Sequence, residues 1–177
     1  AEKIKQSVLD ADVDMLIARY IYHSDEYGNP VVTTMRERIV RASSGFRWQG
    51  AVHECIFLSG RTKIVDWEIH HLRPGHRSPT SRNLRIYDKM AKNGLESLSP
   101  RDRYYYAREL QDGNRQEEAF KVYESFVNDA SSWWEDVAQA FCSMARIASR
   151  SSFVKARQLA ARAAAIKHTL AEAYCLL

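Results

Sequence analysis

No stretch of this chain is apolar for long enough to span a bilayer. The run Met15 to Ala18, continued as Tyr20 to Tyr22 beyond Arg19, falls far short, since a spanning helix needs about 20 apolar residues. Ala1-Glu2-Lys3-Ile4-Lys5 has no apolar stretch behind it, so no secretory signal is expected there. Cysteine is scarce: Cys55, Cys142 and Cys175 are odd in number and widely spaced, which argues against a disulfide framework and a structural zinc site. A reducing cytoplasm is the expected compartment. Proline and glycine are also few, four and seven, and after Pro100 only Gly113 remains. Charge of one sign is lacking too. The 26 Lys+Arg exceed the 22 Asp+Glu by only four; residues 1–99 hold 15 and 12 of them, residues 100–177 hold 11 and 10. Neither half is a basic module, so nucleic acid is not an expected partner despite a pI near 9.0.

What the 177 residues do have is 45% hydrophobic and 27% charged residues, the make-up of a globular protein able to bury a substantial core. Five of the six histidines, His23, His53, His70, His71 and His76, fall in the first half. Chemistry is expected there.

The first half reads as short strands. MLIARYIY is followed by Gly28-Asn29-Pro30, a turn signal, and VVTTMRERIVR alternates with period two, so a β-hairpin is expected. FRWQGAVHECIFL reads as an aromatic segment passing into a strand, and KIVDWEIHHL as another strand. Beyond Pro74, Gly75 and Pro79 the period changes to 3.6. A helix is expected from Ser81, its N-cap, to Gly94, with Leu84, Tyr87 and Met90 on one face, and Ser99-Pro100 opens the next.

The tail carries a repeat. Ala107, Leu110, Ala119, Tyr123 and Phe126 occupy the small and large packing positions of a helix–turn–helix unit of about 34 residues that turns at Asp112-Gly113-Asn114. A second copy places Ala145, Ala156, Ala160 and Ala163 correspondingly, and a third begins at His168. Small residues let paired helices approach closely. The expected class is therefore α+β, with a strand-rich part over residues 1–80 and an all-α tetratricopeptide-like region over 81–177. Tyr104, Tyr105 and Tyr106 are expected to pack the first repeat helix, and Trp133-Trp134 to seal the joint between repeats. Cys55 is expected to be a buried, inert thiol.

Asp10-Ala11-Asp12 and Asp12-Val13-Asp14 both match the D-x-D pattern that holds a divalent ion against a diphosphate, but KIKQSVL before them is not a buried strand, so they read as solvated turn residues. The segment Trp48-Gln49-Gly50-Ala51-Val52-His53-Glu54 sets a titratable pair beside an aromatic wall and a side-chain-free backbone. An aromatic face stacks on a sugar ring, and a carboxylate can accept a hydroxyl proton. The alternative is a core tryptophan with a solvated glutamate.

The order Y-H-S-D-E-x-G-N-P, R-E-R-I-V-R, W-Q-G-A-V-H-E, D-W-E-I-H-H and S-P-R-D-R-Y-Y-Y-A-R-E-L, followed by helical repeats, resembles the C-terminal half of bacterial and phage family 2 glycosyltransferases with a tetratricopeptide tail. The likeness runs from about Asp12 to Leu177, and W-x-G-x-x-H-E with the later I-x-H is its most specific part. It implies part of a GT-A fold and transfer of a sugar from a nucleotide-sugar donor to an acceptor, helped by a divalent ion, Mn or Mg. By the same likeness Glu54 is the acceptor-activating base, Trp48, Gly50 and His53 line the acceptor side, and His71 belongs to the metal site. The donor-binding half of the family pattern is missing, so a fragment inactive by itself is expected. Two other classes compete: a protein-interaction module resting on the helical repeats, and an HNH-like nuclease suggested by His70-His71, Pro74 and Asn83-Leu84, in which histidines activate water and bind a metal.

Overall fold

A computed structural model describes residues 2–9, 12–57, 59–72 and 81–177. The chain divides into two compact units, Ala1–Ser78 and Pro79–Leu177. The first holds helix α1 (Glu2–Leu9) and strands β1 (Met15–Ser24), β2 (Pro30–Val40) and β3 (Thr62–His70); the second holds α2 (Arg82–Met90), α3 (Pro100–Asp112), α4 (Gln116–Val127), α5 (Trp134–Ala148), α6 (Phe153–Ile166) and α7 (Ala171–Cys175). Strands and most helices are thus segregated, an α+β arrangement. Among the described residues no helix is long and apolar enough to cross a membrane.

The three strands form one sheet in the order β2-β1-β3, β1 antiparallel to β2 and parallel to β3. The central strand must face protein on both sides, and MLIA supplies that: Met15, Leu16, Ile17 and Ala18 are all buried, as is Ile21. The β1–β2 connection is tied by Asp25, whose carboxylate accepts the backbone N–H groups of Tyr27 (3.0 Å) and Asn29 (2.7 Å). These bonds favour the ionised form, with the Asn29 side chain foremost, and hold the Asp25 carboxyl below its usual range. Leu16 pairs with Ile39 and Ile17 with Glu37, so Arg38 is the extra residue of a bulge.

In the helical unit the expected packing positions are filled as the 3.6 period requires. Ala107, Leu110, Ala119 and Tyr123 have no exposed surface, Phe126 is equally enclosed, and Ala145, Ala156, Ala160 and Ala163 are buried. α3 packs on α4 and α5 on α6, each pair joined by a short turn. Ser99 caps α3, its hydroxyl accepting the Asp102 N–H, with Pro100 at the first helical position. Asp88 on α2 binds both the Tyr106 hydroxyl (2.8 Å) and Arg115 (2.8 Å), tying α2 to α3 and to the turn ahead of α4. Arg103, itself buried, pairs with Asp129 and donates to the Ser125 carbonyl.

Two local expectations change, and the expected turn at Asp112-Gly113-Asn114 is present, with Asn114 left-handed at φ 60°, a conformation asparagine tolerates. Ser81 makes no side-chain cap to α2. Trp133 and Trp134 do not seal a joint: they are 59% and 49% exposed at the start of α5, where Trp134 lies under the Lys167 ammonium at 5.8 Å. Of the three tyrosines, Tyr104 and Tyr106 are buried, and burial drives the Tyr106 hydroxyl up to about 12.

Candidate functional site

The segment between β2 and β3, residues 41–61, carries most of the candidate residues, and Asp14 closes its base. The Asp14 carboxylate accepts the Arg61 N–H at 3.0 Å and the Ser44 hydroxyl at 3.0 Å, while the Asp14 carbonyl accepts the Arg41 N–H at 2.8 Å. Both ends of the loop are thereby pinned to one residue. The Arg61 N–H contributes most to holding the Asp14 carboxyl below its usual range, followed by Ser44. Gly60 is required beside it, since a Cβ there would stand 2.8 Å from Asp14 Oδ2 at a φ of +70°. Asp12 is paired with the Arg61 guanidinium. Asp14 is therefore a structural clamp with a side chain only 22% exposed, and not a solvated turn residue; Asp10 lies outside the described residues.

Within the loop, Phe46 and Ile56 pack against Met15, Ile17 and Val40. Gln49 and Cys55 then form a two-way backbone bridge, 2.9 and 3.1 Å, that closes the five residues between them into a tight ring of chain. The strand expected over this segment is reduced to that bridge. The reason is local: Gly50 at φ 99° and His53 at φ 52° are both left-handed, which no strand accommodates. At Gly50 an added Cβ would also come within 3.2 Å of the Val52 carbonyl. His53 in this region costs about 1–2 kcal/mol, a strain its surroundings must hold. Val52, Cys55 and Ile56 point inward, while Gly50, His53 and Glu54 are exposed and the Trp48 side chain is 55% exposed. Trp48, Gly50, His53 and Glu54 are thus brought together on one anchored loop. Cys55 is the buried thiol expected.

His71 sits at the other end of β1. Its N–H donates to the Ile21 carbonyl at 2.9 Å, and Ile21 is six positions along β1 from Met15, where the loop begins, or about 20 Å of strand. The Tyr20 hydroxyl lies 2.8 Å from His71 Nδ1, leaving Nε2 as the nitrogen a cation would use. His23 and His70 line the same groove with Tyr22, and His70 pairs with Glu68 at 3.6 Å. Among the described residues no three histidine, cysteine, aspartate or glutamate side chains converge to hold a metal; His76 lies outside the described residues. Of the residues of the nuclease pattern, Asn83 donates to Glu109 at 2.9 Å within the helical unit, and Pro74 lies outside the described residues.

A set of residues that the motifs did not single out links the two ends. The bulge re-aims Arg38 so that its guanidinium lies 5.1 Å from the Tyr20 ring and 5.9 Å from the Trp48 ring. Arg36 donates through Nε to the Tyr22 hydroxyl at 3.1 Å, and Tyr20 and Tyr22 stand 4.6 Å apart. A chain of contacts therefore runs Trp48–Arg38–Tyr20–His71 across the sheet.

Compared with known proteins, the chain matches no protein-family model and no curated protein.

Proposed function

We propose that this chain is the C-terminal part of a GT-A-type, family 2-like glycosyltransferase, with the acceptor side of its active site in residues 12–72 and a tetratricopeptide-like tail in 81–177. The observation that carries the reading is the bridge-closed loop, which holds an exposed indole and an exposed carboxylate on one pinned backbone. Trp48 offers its face to a sugar ring, Gly50 lets the acceptor approach the backbone, and Glu54 takes the proton from the attacking hydroxyl. His53, strained and exposed, is held beside them. A nucleotide-sugar supplies the transferred sugar, and a divalent ion, Mn or Mg, would neutralise the departing diphosphate; His71 is the candidate ligand for it on this chain. Exposed apolar side chains of the small sheet unit, Phe57, Ile64 and Leu72, support its belonging to a larger domain that covers them.

The test is a transfer assay on the protein that carries this chain, with a panel of nucleotide-sugars, saccharide acceptors and Mn or Mg. Transfer that collapses in Glu54→Gln supports the reading. Absence of transfer from every donor overturns it.

The tail favours a second reading, a protein-interaction module. Trp133, Trp134, Phe153 and Val154 are large apolar side chains left 49–78% exposed on the helical unit, more than an isolated surface residue requires.

A further inference from the structure

Arg38 is held in an unusual way for a surface arginine. Its Nη1 donates to the Glu37 carbonyl at 3.2 Å and lies 3.6 Å from the Glu37 carboxylate, while its plane is flanked by the rings of Tyr20 and Trp48. These contacts use one corner of the guanidinium and its two neighbouring rings. The Nε–Nη2 edge has no hydrogen-bond partner among the described residues. That edge is a two-donor fork whose geometry matches a carboxylate or phosphate, and its orientation has already been fixed by packing. Arg36, bonded to the Tyr22 hydroxyl, adds a second cation on a neighbouring position of the same strand. The Glu37 carboxylate is buried, one of its oxygens lacks a hydrogen bond, and Arg38 Nη1 lies 3.6 Å from that oxygen.

We infer that the Arg38 fork, beside Trp48, is a recognition site for an oxyanion on a saccharide, so that the sugar bound by the loop carries a carboxylate or a phosphate. The inference rests on the proposed sugar-binding role of the loop and names the class of acceptor. Trp48 takes the ring and Arg38 takes the charged substituent. A neutral sugar would leave the fork unpaired, whereas an anionic one gains two charge-assisted hydrogen bonds in a site partly shielded by aromatic rings.

The experiment titrates the full chain with D-glucuronate, glucose 6-phosphate, D-glucose and inorganic phosphate at millimolar concentration, following the Trp48 indole N–H and the Arg38 Nε–H by NMR. The expected result is that a charged sugar moves both signals together and binds about tenfold or more tightly than glucose. Arg38→Lys keeps the charge without the fork and should lose most of that preference, while still moving the Trp48 signal; Arg38→Ala, checked for retained chemical-shift dispersion, should abolish it. Whether glucuronate or glucose 6-phosphate binds more tightly identifies the oxyanion, and either order supports the inference. Equal binding of glucose and both charged sugars would overturn the inference while leaving the sugar-binding loop intact. Failure of every sugar to move Trp48, even with inorganic phosphate moving Arg38, would overturn the loop's role and the inference together.

Discussion

Asp14 and Arg61 are joined twice through the backbone and carboxylate of one residue: Asp14 N donates to the Arg61 carbonyl at 2.8 Å, and the Asp14 carboxylate accepts the Arg61 N–H at 3.0 Å. That exchange makes the entry to β1 and the exit of the candidate loop a single structural point. Asp14→Asn keeps the shape but removes the charge that attracts Arg61 and Arg41. It should lower the thermal midpoint of the N-terminal unit and broaden the amide signals of residues 42–56 while leaving helical signals in place. An unchanged loop spectrum would show that the clamp contributes nothing.

The acid sensitivity of both units follows from depressed carboxyls. Asp14 lies below its usual value of 3.8, and Asp129, held by Ser131 and by Arg103, drops to about 2. A carboxyl depressed in the folded state stabilises the fold above its unfolded pKa, and that contribution is lost as pH falls through the folded value. Stability should therefore be flat down to about pH 4 and fall between there and about pH 2. Asp129→Asn should flatten the part of that fall belonging to the helical unit, as read by helix circular dichroism during acid titration.

The helical tail was legible because its small and large residues recur at a spacing that leaves one solution: Ala107 with Leu110, and Ala119 with Tyr123 and Phe126, can be hidden together only if two helices pack closely. Leu110→Ala, at a site with no exposed surface, should cost about 2–5 kcal/mol, and Ala160→Leu about 1–3 kcal/mol by overpacking. Urea unfolding followed at the helix band measures both. A cost below 1 kcal/mol at both sites, where about that much is the least expected, would mean that α3–α4 and α5–α6 are not closely packed pairs.

Elsewhere the local pattern carried less. Trp133 and Trp134 read as core by hydrophobicity alone, but both stand at the entry to α5 and remain largely exposed. The loop at 46–56 looked extended because its residues favour strands; the left-handed backbone that forbids a strand falls at His53, which no composition rule marks. Trp48, Gly50, His53 and Glu54 were found because they fall within one short segment, residues 48–54. Arg38 and Tyr20 were not, since only strand pairing and a bulge at Arg38 set the Arg38 guanidinium between the Tyr20 and Trp48 rings.

His53 offers a way to separate strain from function. At φ 52°, His53→Gly removes the steric cost of a Cβ in the left-handed region, so the N-terminal unit should unfold at an equal or higher denaturant concentration. If the imidazole also lines the acceptor side, the same variant should weaken saccharide binding. Gly50→Ala imposes the opposite, a Cβ at φ 99° and 3.2 Å from the Val52 carbonyl, and should reduce both stability and binding. Loss of stability in His53→Gly would show that the histidine is there for packing.

Thiol accessibility checks the two units independently of any function. Cys55 and Cys142 are buried and Cys175 is exposed; burial, with Glu172 nearby, pushes the Cys142 thiol up to about 11. In the native chain one thiol should react quickly with a soluble aromatic disulfide near pH 8, and all three after denaturation. Two or more fast thiols in the native state would place Cys55 or Cys142 at the surface.

Glu54 is the residue on which the catalytic proposal turns. A general base must be ionised and within reach of the acceptor hydroxyl as the glycosidic bond forms, and such a group is typically worth 10²–10⁴ in rate. Glu54 is exposed, follows His53 on the ring closed by Gln49 and Cys55, and is thereby positioned without being desolvated. Glu54→Gln retains the side chain's length and hydrogen-bonding capacity while removing its charge. In a transferase carrying this segment it should lower kcat by about two orders of magnitude or more with little change in the donor KM, since the donor does not depend on that charge. Trp48→Ala should instead raise the acceptor KM, because stacking on the sugar contributes to binding before chemistry begins. If Glu54→Gln turned over at a near-normal rate while Trp48→Ala still weakened the acceptor, the loop would bind the sugar and the proton would have to leave to a different group.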